Sequence, residues 1–286
     1  MNHWNTRAAL DRLEETRGHE RALTELARDP LSRCLRLGPG LEIPAADGEL
    51  VSEIFDGDRR PDDLLLGRMD GHIWWARSDG EGGVDLRTLD LPPGQTQLAM
   101  MATALYEWHR SNPVCPRCGE RTTPDRAGTA RRCPKCGREL FPRTDPAVIL
   151  AVTDPADRLL LTHARGWPGN RVSVQAGFIE AGESAEQACH REIWEETGLA
   201  IRSLGFFGTQ PWPFPRSLML GFEARTDGTE PNLDGEELSW GSFHTREGLR
   251  RAVAEGELTL PGPISLARQL IEAWLARGGE ASGDTA

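Results

Sequence analysis

The sequence predicts an α/β protein in which a β-rich first domain and a small cysteine module precede a larger α/β domain. Three patterns support this prediction. Residues 64–77 read as two strands joined by a tight turn, residues 115–136 contain two CxxC pairs, and residues 143–277 alternate strand and helix signals. The length of 286 residues also favours more than one domain.

The composition indicates a globular protein with an acidic surface. Hydrophobic residues make up 38% of the chain and include nine tryptophans, which is enough to build a core. A net charge of −11 disfavours broad binding to nucleic acid or anionic membranes. The first twenty residues lack the apolar run of a secretory signal, and the apolar run at 147–152 is too short to cross a bilayer of about 30 Å. We therefore expect a cytoplasmic protein.

Residues 1–109 are expected to form the β-rich domain and a helix that follows it. The segments LLLGRM and HIWWAR flank Asp70-Gly71, which can supply the two positive φ angles of a hairpin turn. After a Pro-Pro-Gly break, the apolar residues of 96–109 recur at steps of three and four, the period of an amphipathic helix. This helix is predicted to link the two halves of the chain.

Residues 110–142 contain the cysteine module, in which CPRC and CPKC are separated by fourteen residues. This spacing predicts two short knuckles that present four thiolates to one Zn²⁺. The predicted ligands are Cys115, Cys118, Cys133 and Cys136. A closed four-thiolate shell leaves no position for substrate, so the zinc is expected to be structural. The alternative is that the basic surface of the module docks nucleic acid.

Two further cysteines, Cys34 and Cys189, stand alone in the sequence. Isolated cysteines of this kind are usually small apolar core residues, and we expect both to be buried.

The segment after the cysteine module contains a glycine-rich loop followed by a predicted helix. Ser184 and Gln187 have the spacing of a capping box that begins a helix, and Gly198 is suited to end it. On this helix Glu192, Glu195 and Glu196 stand at positions i, i+3 and i+4. The three carboxylates are therefore predicted to share one face.

This acidic face predicts a divalent metal site with catalytic glutamates. Crowded carboxylates repel one another unless cations intervene, and oxygen ligands without imidazole or thiolate favour Mg²⁺ or Mn²⁺. Such ions can bridge phosphate oxygens and activate water for hydrolysis of a phosphoanhydride. Glu183 and Arg191 are expected to brace the loop against the helix through an ion pair. The alternative is an exposed charged helix in which Arg191 is only a counterion.

The segment from Gly177 to Leu199 fits the signature GX5EX7REUXEEXGU at every specified position, and the chain therefore resembles the Nudix hydrolases. The resemblance implies an α/β/α sandwich with a mixed sheet over residues 143–277, in which a loop–helix–loop carries the metal site. It also implies that the backbone carbonyl of Ala176 binds metal. A glutamate beyond the signature is expected to complete the shell, and we choose Glu237, with the adjacent Glu236 as the alternative.

Downstream of the signature lies a loop with three alternating prolines, which predict a stiff extended segment. Its aromatic rings can stack on bases or pack into the core. The loop resembles the SQPWPFPxS element of the NADH pyrophosphatase branch of the Nudix family, with Thr209 in place of the usual serine. The residues to which this resemblance assigns substrate binding are Gln210, Pro211, Trp212, Pro213, Phe214, Pro215, Arg216 and Ser217.

The same resemblance assigns substrate contacts to Phe178, as a stacking platform, to Ala267 and to Phe141, where relatives can carry tyrosine. It implies a homodimer that hydrolyses NADH, and also NAD⁺, to AMP and nicotinamide mononucleotide, and that can act on NAD-capped RNA. Two alternatives stay open: a Nudix hydrolase of ADP-ribose or a diadenosine polyphosphate, and a zinc-ribbon protein that binds nucleic acid. Residues 278–286 are expected to form a flexible tail.

Overall fold

The computed structural model describes Trp4, residues 7–233 and residues 235–277, so the predicted tail lies outside the described residues. The described chain forms two compact units. The N-terminal unit contains residues 7–144 together with residues 211–216 of the proline-rich loop. The C-terminal unit contains Trp4, residues 145–210 and the described residues from 217 onward.

The N-terminal unit is built on a four-stranded sheet in the order β4-β1-β6-β5, with β2 and β3 forming a separate pair. The strands are β1 (Ser32–Arg36), β2 (Ala45–Ala46), β3 (Glu49–Leu50), β4 (Glu53–Ile54), β5 (Leu64–Met69) and β6 (His72–Arg77), and the helices are α1 (Glu20–Ala27) and α2 (Pro93–Ser111). The predicted hairpin is confirmed: β5 and β6 pair antiparallel, and Asp70 and Gly71 adopt φ values of 51° and 77°. Cys34 is buried in the core beside Trp75, as expected.

The predicted helix is confirmed as α2, which extends it at both ends and has Pro93 in its first turn. Residues 98–103 are all buried, so the helix is covered on most sides and does not have the one exposed face of the predicted amphipathic helix. It is followed by a three-stranded sheet in the order β7-β8-β9, formed by β7 (Thr123–Asp125), β8 (Ala130–Arg132) and β9 (Glu139–Leu140). Among the described residues, no helix combines the length and the apolar character that a bilayer-spanning segment requires.

The C-terminal unit is built on a six-stranded mixed sheet. Its elements are β10 (Asp145–Thr153), β11 (Leu159–Ala164), β12 (Gln175–Phe178), α3 (Ala185–Thr197), β13 (Ile201–Trp212), β14 (Ser217–Thr226), β15 (Leu238–His244), α4 (Arg246–Ala254) and α5 (Leu266–Arg277). The order is β13-β14-β10-β11-β15, with β12 also pairing with β10. The strand β10 runs parallel to β14 and antiparallel to β11 and β12.

Helices cover both faces of this sheet. Val148, Leu150 and Val152 of β10 pack with Cys189 and other buried residues of α3. On the opposite face, Gly221 of β14, which pairs with Ile149, lies against Leu266 of α5. Because successive strand residues face opposite sides, α3 and α5 lie on different faces. The predicted α/β fold with a mixed sheet is confirmed.

Candidate active site and zinc centre

The glutamate-bearing segment is a strand, a loop and a helix, formed by β12, residues 179–184 and α3. The Ser184 hydroxyl accepts a hydrogen bond from the Gln187 backbone N–H at 3.1 Å, and the Gln187 side chain accepts one from the Ser184 N–H at 2.9 Å. The helix ends at Gly198, whose φ of 64° is left-handed and whose N–H bonds the Trp194 carbonyl. The predicted capping box and terminator are therefore both present.

Gly177 leaves room for the carboxylate of Glu192, which lies against its Cα. A Cβ atom at Gly177 would lie 1.9 Å from Cδ of Glu192, so any larger residue would displace this carboxylate from its position. Burial raises the pKa of Glu192, and the neighbouring charges of Glu195 and Glu237 act in the same direction, whereas Arg191 lowers it. The Glu192 carboxylate is thus packed directly against Gly177.

Arg191 connects the loop to the helix. Its Nε and Nη2 atoms each donate to the Glu183 carboxylate at 2.9 Å, which is the predicted brace and lowers the pKa of Glu183. Its Nη1 atom donates to Glu192 at 2.8 Å and to Glu195 at 3.1 Å, while Nη2 also donates to the carbonyl of Phe178. One guanidinium therefore orients three carboxylates and relieves the repulsion between two of them.

Glu196 has different surroundings from its neighbours on α3, because only 7% of its surface is exposed. It lines a cavity of about 470 Å³ together with Ala176 of β12 and with Glu236 and Glu237, which precede β15. Both candidates for the additional metal ligand thus reach the cavity. The charge of Glu237 also raises the pKa of Glu192, and the preference for Glu237 over Glu236 stays a prediction. The structure brings Ala176, Glu196 and Glu237 together around one space.

The four ribbon cysteines also come together. Their Sγ atoms all lie within 4.8 Å of one another, and among the described residues no other group of three or more potential ligands is gathered so closely. The Sγ distances are 3.7 Å between Cys115 and Cys136 and 3.5 Å between Cys118 and Cys133. A tetrahedron with Zn–S bonds of about 2.3 Å has edges of about 3.8 Å, so the cage fits zinc.

The two knuckles repeat the same backbone pattern. Gly119 and Gly137 have φ values of 71° and 72°, and their N–H groups bond the carbonyls of Cys115 and Cys133 at 2.9 Å. The backbone N–H of Arg117 points at the Cys115 sulfur and lowers the pKa of that thiol to about 7, which favours the metal-binding thiolate. The two CxxCG segments thus form equivalent halves of the zinc site.

The proline-rich loop differs from the extended segment that was predicted. Pro211 and Trp212 complete β13, but residues 213–216 form a turn before β14 begins. The Phe214 N–H bonds the Trp212 carbonyl at 2.8 Å and closes a three-residue turn. The rings of Trp212 and Phe214 meet edge to face with centroids 5.0 Å apart, so each restricts the other.

Arg87 also contacts this loop, although the sequence pattern does not predict the contact. Its guanidinium lies 5.3 Å from the centroid of the Phe214 ring, and Asp85 holds it through a 2.9 Å bond to Nε. The two residues border a cavity of about 470 Å³ that is also lined by Pro213, Phe214 and Pro215. No sequence motif marks Arg87, because the contact depends on how the N-terminal unit folds around the loop.

The side chain of Gln210, which is predicted to bind substrate, already has two partners within the protein. It is completely buried, its Nε2 atom donates to the Ile264 carbonyl at 2.5 Å, and its Oε1 atom accepts from the Leu266 N–H at 2.6 Å. Both ends of the amide are therefore used to attach the end of β13 to the start of α5.

The other predicted substrate residues differ in accessibility. Phe178 and Phe141 expose 57% and 48% of their surfaces, so both rings are available for stacking. Arg216 is exposed, whereas Ser217 is buried at the start of β14. Ala267 is 6% exposed near the start of α5. Its buried methyl group leaves little surface for a ligand in this conformation.

Two regions of the chain match known protein families. The NUDIX domain family matches residues 143–259, and the NADH pyrophosphatase zinc ribbon domain matches residues 110–141. The NAD-capped RNA hydrolase NudC of Mycobacterium bovis is 38% identical over 95% of this chain and 94% of its own length. The protein of the same name from Escherichia coli is 36% identical over 73% of this chain and 79% of its own length.

A solved structure of a NUDIX hydrolase from Nitrosomonas europaea covers 60% of this chain and 96% of its own length, with 15% identity and a TM-score of 0.46.

Proposed function

This chain belongs to the Nudix hydrolase family, in the branch that carries an NADH pyrophosphatase zinc ribbon, and from that premise we propose that it hydrolyses the pyrophosphate bond of NADH and NAD⁺. The products are AMP and nicotinamide mononucleotide. The observation that supports this most directly is the buried Glu196 in a cavity with Ala176 and Glu237, beside a helix on which Arg191 orients Glu192 and Glu195. The NudC relatives are named as NAD-capped RNA hydrolases, and we include this substrate in the proposal.

We propose that Mg²⁺ or Mn²⁺ is held by the Ala176 carbonyl and by the carboxylates of Glu192, Glu195, Glu196 and Glu237. The donor set fits such ions, because it consists of oxygen atoms alone. A bound divalent ion would polarise phosphate oxygens and lower the pKa of a water molecule. Glu196 lies inside the cavity, where its carboxylate can accept a proton from the attacking water.

The active form is proposed to be a cytoplasmic homodimer, as the family resemblance implies. Sedimentation of the purified full chain would test the dimer directly.

Gly177→Ala is expected to lower kcat on the order of 10²-fold without unfolding the protein. The added methyl group collides with the Glu192 carboxylate, which is the mobile end of a side chain and can move away. A displacement of about 1 Å of a catalytic group can have an effect of this size. Gly205→Ala is the matched control, because a Cβ atom there meets only the Glu223 carbonyl at 3.9 Å. Equal kcat values for the two variants would contradict this role of Gly177.

The proline-rich loop and the ring of Phe178 are proposed to recognise the dinucleotide. Phe178→Ala, Trp212→Ala and Phe214→Ala are expected to raise KM for NADH, since stacking on a base contributes about 1–3 kcal/mol. ADP-ribose lacks nicotinamide, so its kcat/KM should fall less and the preference for NADH should decrease. Arg87→Met is expected to act in the same direction with a smaller effect, because a cation–π contact at an exposed site contributes about 0.5–1 kcal/mol.

The control for these variants is Phe206→Ala, which removes a ring that is 63% exposed in the same unit as Phe178. The measurement is kcat/KM for NADH and for ADP-ribose in parallel. An unchanged ratio in Phe178→Ala, Trp212→Ala and Phe214→Ala would refute aromatic recognition. A uniform loss on both substrates would instead indicate that the loop is structural.

A further inference from the structure

The zinc ribbon is basic in an otherwise acidic chain. Residues 113–143 contain eight basic and three acidic side chains, which gives 8 − 3 = +5, against a net charge of −11 for the whole chain. One Zn²⁺ with four thiolates reduces this to 5 − 4 + 2 = +3. A positive charge of this density attracts anions from solution unless the ribbon's own acidic side chains neutralise it.

The acidic side chains of the ribbon are already engaged. Arg132 bonds both Asp125, at 2.7 Å, and Glu139, at 2.6 Å. The carboxylate of Glu120 accepts the backbone N–H of Arg121 at 3.1 Å. Arg132 thus pairs with two of the three acidic side chains, and the third accepts a hydrogen bond from a backbone N–H. Little negative charge is left for the other cations.

Two more ribbon arginines have partners of their own. Arg126 pairs with Glu14, and the buried Arg131 donates to the Thr122 hydroxyl at 2.6 Å. Within the part of the chain that the structure describes, the other five ribbon cations are exposed, and their side chains form no hydrogen bond or ion pair. These five residues, which we call the knuckle surface, are Arg117, Arg121, Lys135, Arg138 and Arg143.

The zinc cage brings the central members of this surface together. Arg117 and Lys135 occupy equivalent positions, each immediately before the second cysteine of its pair. Because the four sulfurs lie within 4.8 Å of one another, the cysteines that follow these two cations meet at one centre. Arg138 joins them, since its carbonyl accepts the Cys133 N–H at 2.9 Å. The exposed ring of Phe141 lies between Arg138 and Arg143 along the chain.

We propose that the knuckle surface binds the phosphate backbone of single-stranded RNA that follows a 5′ NAD cap. Exposed cations on one small module repel one another when they lack acidic partners, and a polyanion relieves this repulsion and releases its own counterions on binding. An exposed aromatic ring next to such cations offers a stacking surface for an unpaired base. The inference rests on the proposed function, because a capped RNA presents the same NAD group to the active site.

The test compares a triple variant, Arg117→Gln, Lys135→Gln and Arg138→Gln, with the control Arg132→Gln, which removes a paired cation from the same ribbon. Zinc content confirms that each variant keeps the cage. Binding of an uncapped single-stranded RNA oligonucleotide is measured between about 50 and about 200 mM salt. The triple variant should bind on the order of tenfold more weakly at the lower salt, and its log–log salt slope should be smaller by about 2, since each phosphate contact contributes about 0.7.

The same variants are assayed for hydrolysis. The kcat/KM for NAD-capped RNA should fall in the triple variant and change little in Arg132→Gln, while kcat/KM for NADH stays unchanged in both. RNA binding equal to wild type in the triple variant would overturn the inference. So would weaker binding to anionic lipid vesicles without a change in RNA binding. A wild-type protein that binds the oligonucleotide through this surface but does not hydrolyse NADH would contradict the proposed function alone.

Discussion

Glu196→Gln is expected to abolish hydrolysis of NADH while leaving the fold intact. The carboxylate is buried, lies in the cavity with Ala176 and Glu237, and is replaced by an amide of nearly the same volume. Loss of one acid–base or electrostatic group in such a site lowers the rate by at least ~10²-fold. Glu195→Gln should have a similar effect, because the proposal places it in the same metal shell.

The matched control is Glu186→Gln, which neutralises an exposed glutamate in the first turn of the same helix. Rates are measured at saturating Mg²⁺ and at saturating Mn²⁺, so that a weaker metal affinity is separated from a lost catalytic group. Wild-type rates for Glu196→Gln under these conditions would refute the role of this glutamate. A loss of the same size in Glu186→Gln would mean that the rate depends on the total charge of α3 and not on a carboxylate at the position of Glu196.

Cys115→Ser is expected to lower the zinc content well below one ion per chain and to destabilise the N-terminal unit. The substitution removes one of four thiolates from a cage whose sulfur spacing matches tetrahedral zinc, and metal binding at such sites contributes directly to folding. A loss of about 3 kcal/mol would lower Tm on the order of 10 °C in a domain of this size. Protein that remains folded at low temperature should keep its kcat for NADH, because no ribbon cysteine lines the Glu196 cavity.

The control for the ribbon is Cys34→Ala, which removes a buried thiol from the core of the N-terminal unit. Burial raises the pKa of Cys34 to about 12, so this cysteine is a neutral thiol and not a metal ligand at neutral pH. Elemental analysis should find one zinc per chain in this variant and in wild type. A folded, active protein without zinc would contradict a structural zinc ion at the four cysteines.

Features with local causes could be predicted from the sequence. The capping box at Ser184 and Gln187, the turn at Asp70-Gly71 and the two cysteine knuckles each depend on residues a few positions apart. Local geometry decides such features, and the structure contains all of them.

Features that depend on distant contacts could not be predicted in the same way. The pairing of Arg87 with Phe214 and the burial of Gln210 against α5 join segments far apart in the chain. The different environments of Glu195 and Glu196 depend on Arg191 and on the segment before β15, although the helix period places both on one face. Tertiary packing decides these details, and a spacing pattern contains no information about it.

The most direct test of the proposed function is the product analysis of NADH hydrolysis by the full chain with Mg²⁺ or Mn²⁺, with Glu196→Gln assayed in parallel. We expect equal amounts of AMP and reduced nicotinamide mononucleotide from the wild type, and at least ~10²-fold less of both from the variant. Release of free nicotinamide, no cleavage by the wild type in either metal, or equal product from the variant would contradict this expectation.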